Sequence, residues 1–109
     1  MHLGSTLSLG CSPVIVGHPE TRHVELGAKD VTFQCEATGA PPLEYSWKFN
    51  RHLLRGRTTS TLTIHKVDRK SAGTYQCCVT NNFDDVTSKS AELRIGMFIV
   101  MIRFAIDPT

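Results

Sequence analysis

The chain has 109 residues, of which 40% are hydrophobic, 20% are charged and four are cysteines. This length corresponds to one domain, and the composition excludes both a disordered chain and a membrane-embedded one. The formal net charge of +2 is too small to indicate nucleic-acid binding by itself. Four cysteines are too few for a disulfide-dense miniprotein, so a hydrophobic core must contribute much of the stability.

The two ends of the chain differ from its middle. Residues 1–12 have no basic start and few apolar residues, and we interpret them as a leader or linker. Residues 13–95 predict one domain. Residues 96–109 form an apolar C-terminal extension, whose first apolar run is far shorter than the ~20 residues needed to span a bilayer. This extension either lengthens the last strand, covers an open sheet edge, pairs two molecules, begins a further module or is foreign to the domain.

The first half of the domain alternates short apolar runs with Gly and Pro, which predicts an all-β fold. Val14–Val16 predicts a first strand, and Pro19 suits an edge strand that changes sheets. Thr21–Leu26 predicts a second strand with Val24 and Leu26 on one face. A half-buried third strand is indicated by inward apolar residues at every second position, namely Val31, Phe33, Cys35 and Ala37.

The second half continues the same alternation. The next inward sets are Leu43, Tyr45, Trp47 and Phe49, then Leu62 and Ile64 with Val67 at the corner, then Tyr75, Cys77 and Val79, and finally Ala91, Leu93 and Ile95. Because adjacent strand residues point to opposite faces, Cys78 is predicted to point outward. Residues 81–85 are rich in Asn and Asp, which predicts a hairpin tip.

The order Cys35, Trp47 and Tyr75-x-Cys77 resembles immunoglobulin domains of the I-set or C2 type. The resemblance covers about residues 13–95 and includes the run Ala72-Gly-Thr-Tyr-Gln-Cys77. It implies an immunoglobulin-like β-sandwich of two antiparallel sheets, a Cys35–Cys77 disulfide and a core around Trp47, Tyr75 and Leu62. It also implies that the Tyr75 hydroxyl bonds to backbone near residues 68–71. Every inward set is in phase with this disulfide, and a slip of one residue would destroy that agreement.

Two departures from the family pattern predict that strand D is short or missing. The family usually has Asp six residues before the second Cys, where this chain has Ser71. Only fourteen residues separate Trp47 from Leu62, which leaves little room for full strands between them. Residues 41–50 also resemble the immunoglobulin domains of paracaspases, which are intracellular, so the resemblance leaves the compartment open.

No residue pattern indicates catalysis or a cofactor. The sequence has no Gly-x-Ser-x-Gly or Cys/His signature of a nucleophile, no Gly-rich phosphate loop and no His pair at metal-ligand spacing. We therefore expect a non-enzymatic protein without a cofactor or metal.

Two surface features are candidate interfaces. Lys48, Arg51, Arg55 and Arg57 form a basic run that either binds a sulfated glycan or acidic partner, or is a solvated loop. Cys78 either forms an intermolecular disulfide or redox-sensitive thiol, or is inert.

The resemblance favours a protein-recognition module of a cell-surface adhesion or receptor-type protein, with a second copy of the chain among its candidate partners. The alternatives are an intracellular structural or scaffolding module, of the muscle-filament or paracaspase type, and a module that binds sulfated glycans. We expect no nucleic-acid partner and no membrane span within this chain.

Overall fold

The computed structural model describes residues 12–96. In that range the backbone forms ten short strands, one 3₁₀ turn and no α-helix. The strands are β1 (Val14–Gly17), β2 (Arg22–Val24), β3 (Lys29–Gln34), β4 (Glu36–Thr38), β5 (Glu44–Phe49), β6 (His52–Leu53), β7 (Thr61–Lys66), β8 (Gly73–Thr80), β9 (Asp85–Thr87) and β10 (Ala91–Ile95). The 3₁₀ turn, Arg69–Ser71, connects β7 to β8.

The strands form two layers. In the first layer β1 pairs with β4, and β3 pairs with β7, both antiparallel. These two pairs belong to one layer because β3 and β4 are consecutive parts of the same extended segment, interrupted only at Cys35. In the second layer the order is β2-β10-β8-β5-β6, and β9 also pairs with β8. The chain therefore changes layer between β1 and β2, around Pro19, as the sequence predicts.

The second layer contains one parallel pair. Strand β2 runs parallel to β10, with Val24 opposite Ile95, whereas the other pairs in this layer are antiparallel. Three pairs of consecutive strands, namely β1 with β2, β3 with β4 and β9 with β10, are each one extended segment with an interruption. The ten strands therefore correspond to seven extended segments. The immunoglobulin-like β-sandwich predicted from the sequence is confirmed.

The core lies between the layers and consists of the predicted inward residues. Phe33, Trp47, Cys77, Val79 and Ala91 are fully buried, and partly buried apolar residues pack around them. The relevant contacts include the Tyr75 ring, whose centroid lies 4.8 Å from both the Phe33 and the Phe49 ring centroids. Alternation of apolar and polar residues thus produces one continuous hydrophobic core.

The region of strand D follows the prediction. Between β6 and β7 the described residues 54–60 contain no strand, and β6 itself has only two residues. The prediction for Leu26 was wrong, because β2 ends at Val24 and Leu26 lies in the following turn, 36% exposed.

Residues 1–11 and 97–109 lie outside the described part of the chain. The expectations for the leader or linker and for the apolar extension fall almost wholly there. The predicted boundaries at residues 12 and 95 therefore stay predictions.

Candidate functional site

The centre of the sandwich is held by a disulfide and a tryptophan. Cys35 and Cys77 are joined by a disulfide that links the two layers, with Cα atoms 6.4 Å apart. Trp47 lies opposite Cys77 in the β5–β8 register and is fully buried. Its indole Nε1–H donates to the Thr59 carbonyl at 2.8 Å, which anchors the loop that stands where strand D is missing. The indole is therefore satisfied although it is buried.

Tyr75 fixes the corner between β7 and β8. Its hydroxyl donates to the Ser71 carbonyl at 2.7 Å, within the range of residues that the family resemblance implies. Ser71 in turn is held by Asp68, whose Oδ1 accepts from the Ser71 backbone N–H at 3.0 Å and from its hydroxyl at 3.1 Å. Burial, and to a lesser degree the Asp68 carboxylate, raises the pKa of Tyr75 to about 12. Both effects disfavour the phenolate, since it would be desolvated and near a negative charge.

The β5–β6 hairpin has a two-residue turn, Asn50-Arg51. Both residues have positive φ, 50° and 73°, as expected for the hairpin turn whose twist matches that of its strands. Asn50 Oδ1 accepts from the Thr74 N–H at 2.9 Å and so ties the turn to β8. Gly73 lies beside this turn. A side chain at Gly73 would clash with the turn, because its Cβ would be 2.7 Å from Asn50 Oδ1. The turn that presents Arg51 is therefore rigidly positioned on the neighbouring strand.

The outward surface of strands β6, β5, β8 and β9 is a candidate interface, and we call it the outer face. Its side chains follow from the register, because residues directly opposite each other on neighbouring strands point the same way. One row runs across the sheet through Ser46, Cys78 and Thr87, and the next runs through Leu53, Lys48 and Gln76. Leu53 is 60% exposed. The outer face thus combines small polar groups, one cation and one exposed aliphatic side chain.

The structure separates the members of the predicted basic run. Lys48 lies on the outer face, Arg51 at the tip of the β5–β6 turn and Arg55 in the exposed loop beyond β6. Arg57 lies against the other layer, where its guanidinium Nη1 donates to the Thr63 carbonyl of β7 at 3.1 Å. The four residues therefore do not form one patch on the outer face.

Comparison with known proteins identifies the family. A model of the immunoglobulin domain matches residues 12–81. The chain belongs to the immunoglobulin domain family.

Similar immunoglobulin-domain proteins are much longer than this chain. Cartilage intermediate layer protein 2 of Mus musculus is 39% identical over 87 residues, which cover 76% of this chain and 7% of that protein. Contactin-2 of Rattus norvegicus is 35% identical over 95 residues, covering 77% of this chain and 9% of that protein. The immunoglobulin domain here therefore spans less than a tenth of either relative.

Solved structures give the same fold. The N-terminal Ig1-2 module of the Drosophila receptor protein tyrosine phosphatase DLAR superposes with a TM-score of 0.70 and 27% identity, covering 79% of this chain and 46% of that one. Titin domains I67–I69 superpose with a TM-score of 0.68 and 28% identity, covering 76% of this chain and 32% of that one.

Cys78 of this immunoglobulin domain is a free thiol on the outer face. It is half-buried, and its Sγ lies 3.8 Å from the Thr87 hydroxyl. The outward direction that the sequence predicts is thus observed.

Sequence reasoning missed one buried polar residue, Ser88. Its hydroxyl accepts from the Cys77 N–H at 2.9 Å and donates to the Lys89 carbonyl at 2.9 Å, while its own N–H donates to the Cys77 carbonyl at 2.8 Å. Ser88 therefore continues the hydrogen bonding of β8 where β9 ends and β10 has not begun. A serine in the polar run Thr87–Ser90 gives no signal of this role.

No group of three or more His, Cys, Asp or Glu residues within residues 12–96 could hold a metal ion. Likewise, none of the described elements is a helix long and apolar enough to cross a membrane.

Proposed function

We propose that this immunoglobulin domain is a non-catalytic protein-recognition module of a cell-surface adhesion or receptor-type protein. The observation that carries the proposal is the outer face, a sheet surface with Leu53 60% exposed at its β6 edge. An exposed aliphatic side chain among small polar groups suits the partly apolar, partly hydrogen-bonding surfaces of protein interfaces. Lys48 lies directly opposite Leu53, Gln76 is next in the same row and Cys78 is in the neighbouring row, so one partner on this surface would contact them together.

Two further findings support a location outside the cell. The Cys35–Cys77 disulfide is typical of proteins that fold in an oxidising compartment. The similar DLAR module, at 27% identity, is part of a receptor protein tyrosine phosphatase. Because fold alone does not give function, these findings support the proposal without naming the partner.

A second candidate is an intracellular structural or scaffolding module. It is favoured by the likeness to titin domains I67–I69, which at 28% identity is as high as that to the receptor module. In that setting Cys35 and Cys77 would be reduced and the core alone would hold the fold. The oxidation state of these two cysteines separates the candidates.

The outer face can be tested with two exposed aliphatic residues on opposite layers. Leu53 on β6 and Val16 on β1 are each 60% exposed, so Leu53→Asp and Val16→Asp make the same chemical change on different surfaces. The probes are the full chain tetramerised on streptavidin and applied to intact cells, and beads coated with the same chain to detect self-recognition.

We expect Leu53→Asp to weaken the binding at least tenfold, because it places a charge in the contact surface, and Val16→Asp to leave it within about twofold. Equal effects of the two substitutions would contradict the assignment of the outer face. Absence of binding both to cells and to chain-coated beads would contradict the recognition function.

A further inference from the structure

Four cations gather at the corner between β7 and β8, and we call them the corner patch: Lys29, Lys66, Arg69 and Lys70. Lys29 and Lys66 lie directly opposite each other in the β3–β7 register. Arg69 and Lys70 follow in the 3₁₀ turn, and with Lys66 they line one shallow depression. All four side chains belong to exposed residues. The register and the turn thus bring together charges that are far apart in the sequence.

The four cations of the corner patch outnumber the carboxylates near it. Asp68 lines the same depression and offsets one positive charge, while its Oδ1 also accepts the hydrogen bonds of Ser71 described above. Asp30 pairs with His65 at 3.3 Å, and the other ion pair within residues 12–96 joins Arg94 to Glu92. Lys29 and Lys66 are directly opposite each other, and like charges in this arrangement are unfavourable on neighbouring strands. The patch therefore has an excess of positive charge that an anionic ligand would complement.

We propose that the corner patch binds a linear sulfated polysaccharide. A sulfated chain presents fixed negative charges at intervals, and it is bound by several exposed cations without an enclosed pocket. Arg69 offers the planar guanidinium fork that matches an oxyanion with two hydrogen bonds, and the three lysines offer compact point charges. The ligand would lie along the corner from Lys29 and Lys66 to the 3₁₀ turn.

The surface around the patch favours a polysaccharide over an acidic peptide or a membrane. Peptide recognition usually depends on apolar anchors that are buried on binding, and membrane-surface association depends on several exposed apolar side chains. At this corner Leu26 is 36% exposed, while Val67 is only 1% exposed and so already buried in the core. One modest apolar residue beside four cations suits a ligand recognised by charge.

The corner patch is distinct from the basic run predicted from the sequence. Lys48 and Arg51 lie on and beside the outer face of the second layer, whereas the corner patch lies at the end of the β3–β7 pair. Arg57 is intermediate, because it lines a cavity together with Lys70. Lys48, Arg51 and Arg55 therefore serve as the matched control for the corner patch. Arg57 is left out of the control because it lies close to Lys70.

The test measures binding of the full chain to immobilised heparin at about 0.15 M salt, where weak surface electrostatics are screened. One variant combines Lys66→Glu, Arg69→Glu and Lys70→Glu, and the control combines Lys48→Glu, Arg51→Glu and Arg55→Glu, with the same change in net charge. We expect the dissociation constant to rise at least tenfold in the first variant and less than threefold in the control. Equal losses, or no heparin binding by the unchanged chain, would overturn the proposal.

Further probes test the kind of ligand and the integrity of the variants. Fully desulfated heparin, poly-glutamate and phosphatidylserine vesicles are each compared with heparin, and binding of any of them as tightly as heparin would overturn the polysaccharide assignment. Thermal unfolding verifies the fold, and the corresponding triple alanine variant is scored if the charge-reversed one is unstable. Leu53→Asp is expected to retain heparin binding, so the corner patch and the proposed recognition function can fail separately.

Discussion

At the scale of single residues, Tyr75 connects the core to the corner that carries the corner patch. Its ring packs between Phe33 and Phe49, and its hydroxyl donates to the Ser71 carbonyl at 2.7 Å. A neutral phenol is needed for this donation, and burial together with Asp68 keeps it neutral by raising its pKa to about 12. Tyr75 therefore makes the free energy of unfolding depend on pH in the alkaline range.

The direction of this pH dependence follows from proton linkage. In the unfolded chain Tyr75 loses its proton near pH 10, whereas in the folded chain it keeps the proton to about pH 12. Between these values the folded state binds more protons, so its stability falls as the pH rises. The contribution is fully present below pH 10 and is lost progressively as the pH rises towards 12.

Comparison with Tyr75→Phe isolates this effect. The substitution removes the hydrogen bond to Ser71, at a cost of about 1 kcal/mol near neutral pH, and also removes the titrating group. Urea denaturation measured from pH 8 to pH 12 should show the unchanged chain losing more stability than Tyr75→Phe above pH 10. Parallel curves for the two proteins would show that the phenol of Tyr75 is not the group responsible.

At the scale of elements, Ser88 maintains the connection between β8 and the strand that follows it. It is only 4% exposed, and its hydroxyl satisfies the buried Cys77 N–H. Ser88→Ala would leave this N–H without an acceptor, which should lower the free energy of unfolding by about 1–3 kcal/mol. Ser90→Ala makes the same change at an exposed site two residues later and should stay within about 0.5 kcal/mol of the unchanged chain.

Equilibrium denaturation in urea measures both serine variants against the unchanged chain. A midpoint for Ser88→Ala that coincides with the midpoint for Ser90→Ala would contradict the structural role of the Ser88 hydroxyl. The effect should lie in the midpoint and leave the slope unchanged, because the substitution does not alter the surface exposed on unfolding.

The sequence predicts those strands whose inward and outward residues follow from their own alternation of apolar and polar side chains. The inward residues of β3, β5, β7, β8 and β10 could be read directly, because the side-chain period of two belongs to the strand itself. The position of Leu26 could not be read in this way, because β2 ends where its pairing with β10 ends. Val24 is opposite Ile95, and the Val24 carbonyl accepts from the Gly96 N–H at 2.6 Å. Such an end point is set by another strand seventy residues along the chain.

The candidate sites were less predictable for the same reason. A run of basic residues close together in sequence suggested one patch, but the turn at Asn50-Arg51 and the contact of Arg57 with Thr63 place its members on different surfaces. The corner patch gives no local signal, because Lys29 and Lys66 become neighbours only through the β3–β7 register. Only the tertiary pairing brings these charges together.

For the molecule as a whole, the oxidation state of Cys35 and Cys77 distinguishes the two proposed cellular settings. It joins the two layers across a sequence separation of 42 residues. Closing a loop of that size stabilises a protein by roughly 4 kcal/mol on the chain-entropy estimate. Reduction should therefore lower the melting temperature markedly, whereas Cys78→Ser, which alters only the free thiol of the outer face, should leave it nearly unchanged.

The decisive measurement is mass spectrometry of the protein from its native source, alkylated at lysis with and without prior reduction. If the domain belongs to a cell-surface protein, Cys35 and Cys77 should be alkylated only after reduction, while the half-buried Cys78 should react in both samples. Alkylation of all three without reduction would contradict the cell-surface proposal and favour the intracellular module, in which the core alone stabilises the sandwich. A reducible dimer linked through Cys78 would identify the outer face as a contact between two copies of the chain, because Cys78 lies in the same row of that face as Ser46 and Thr87.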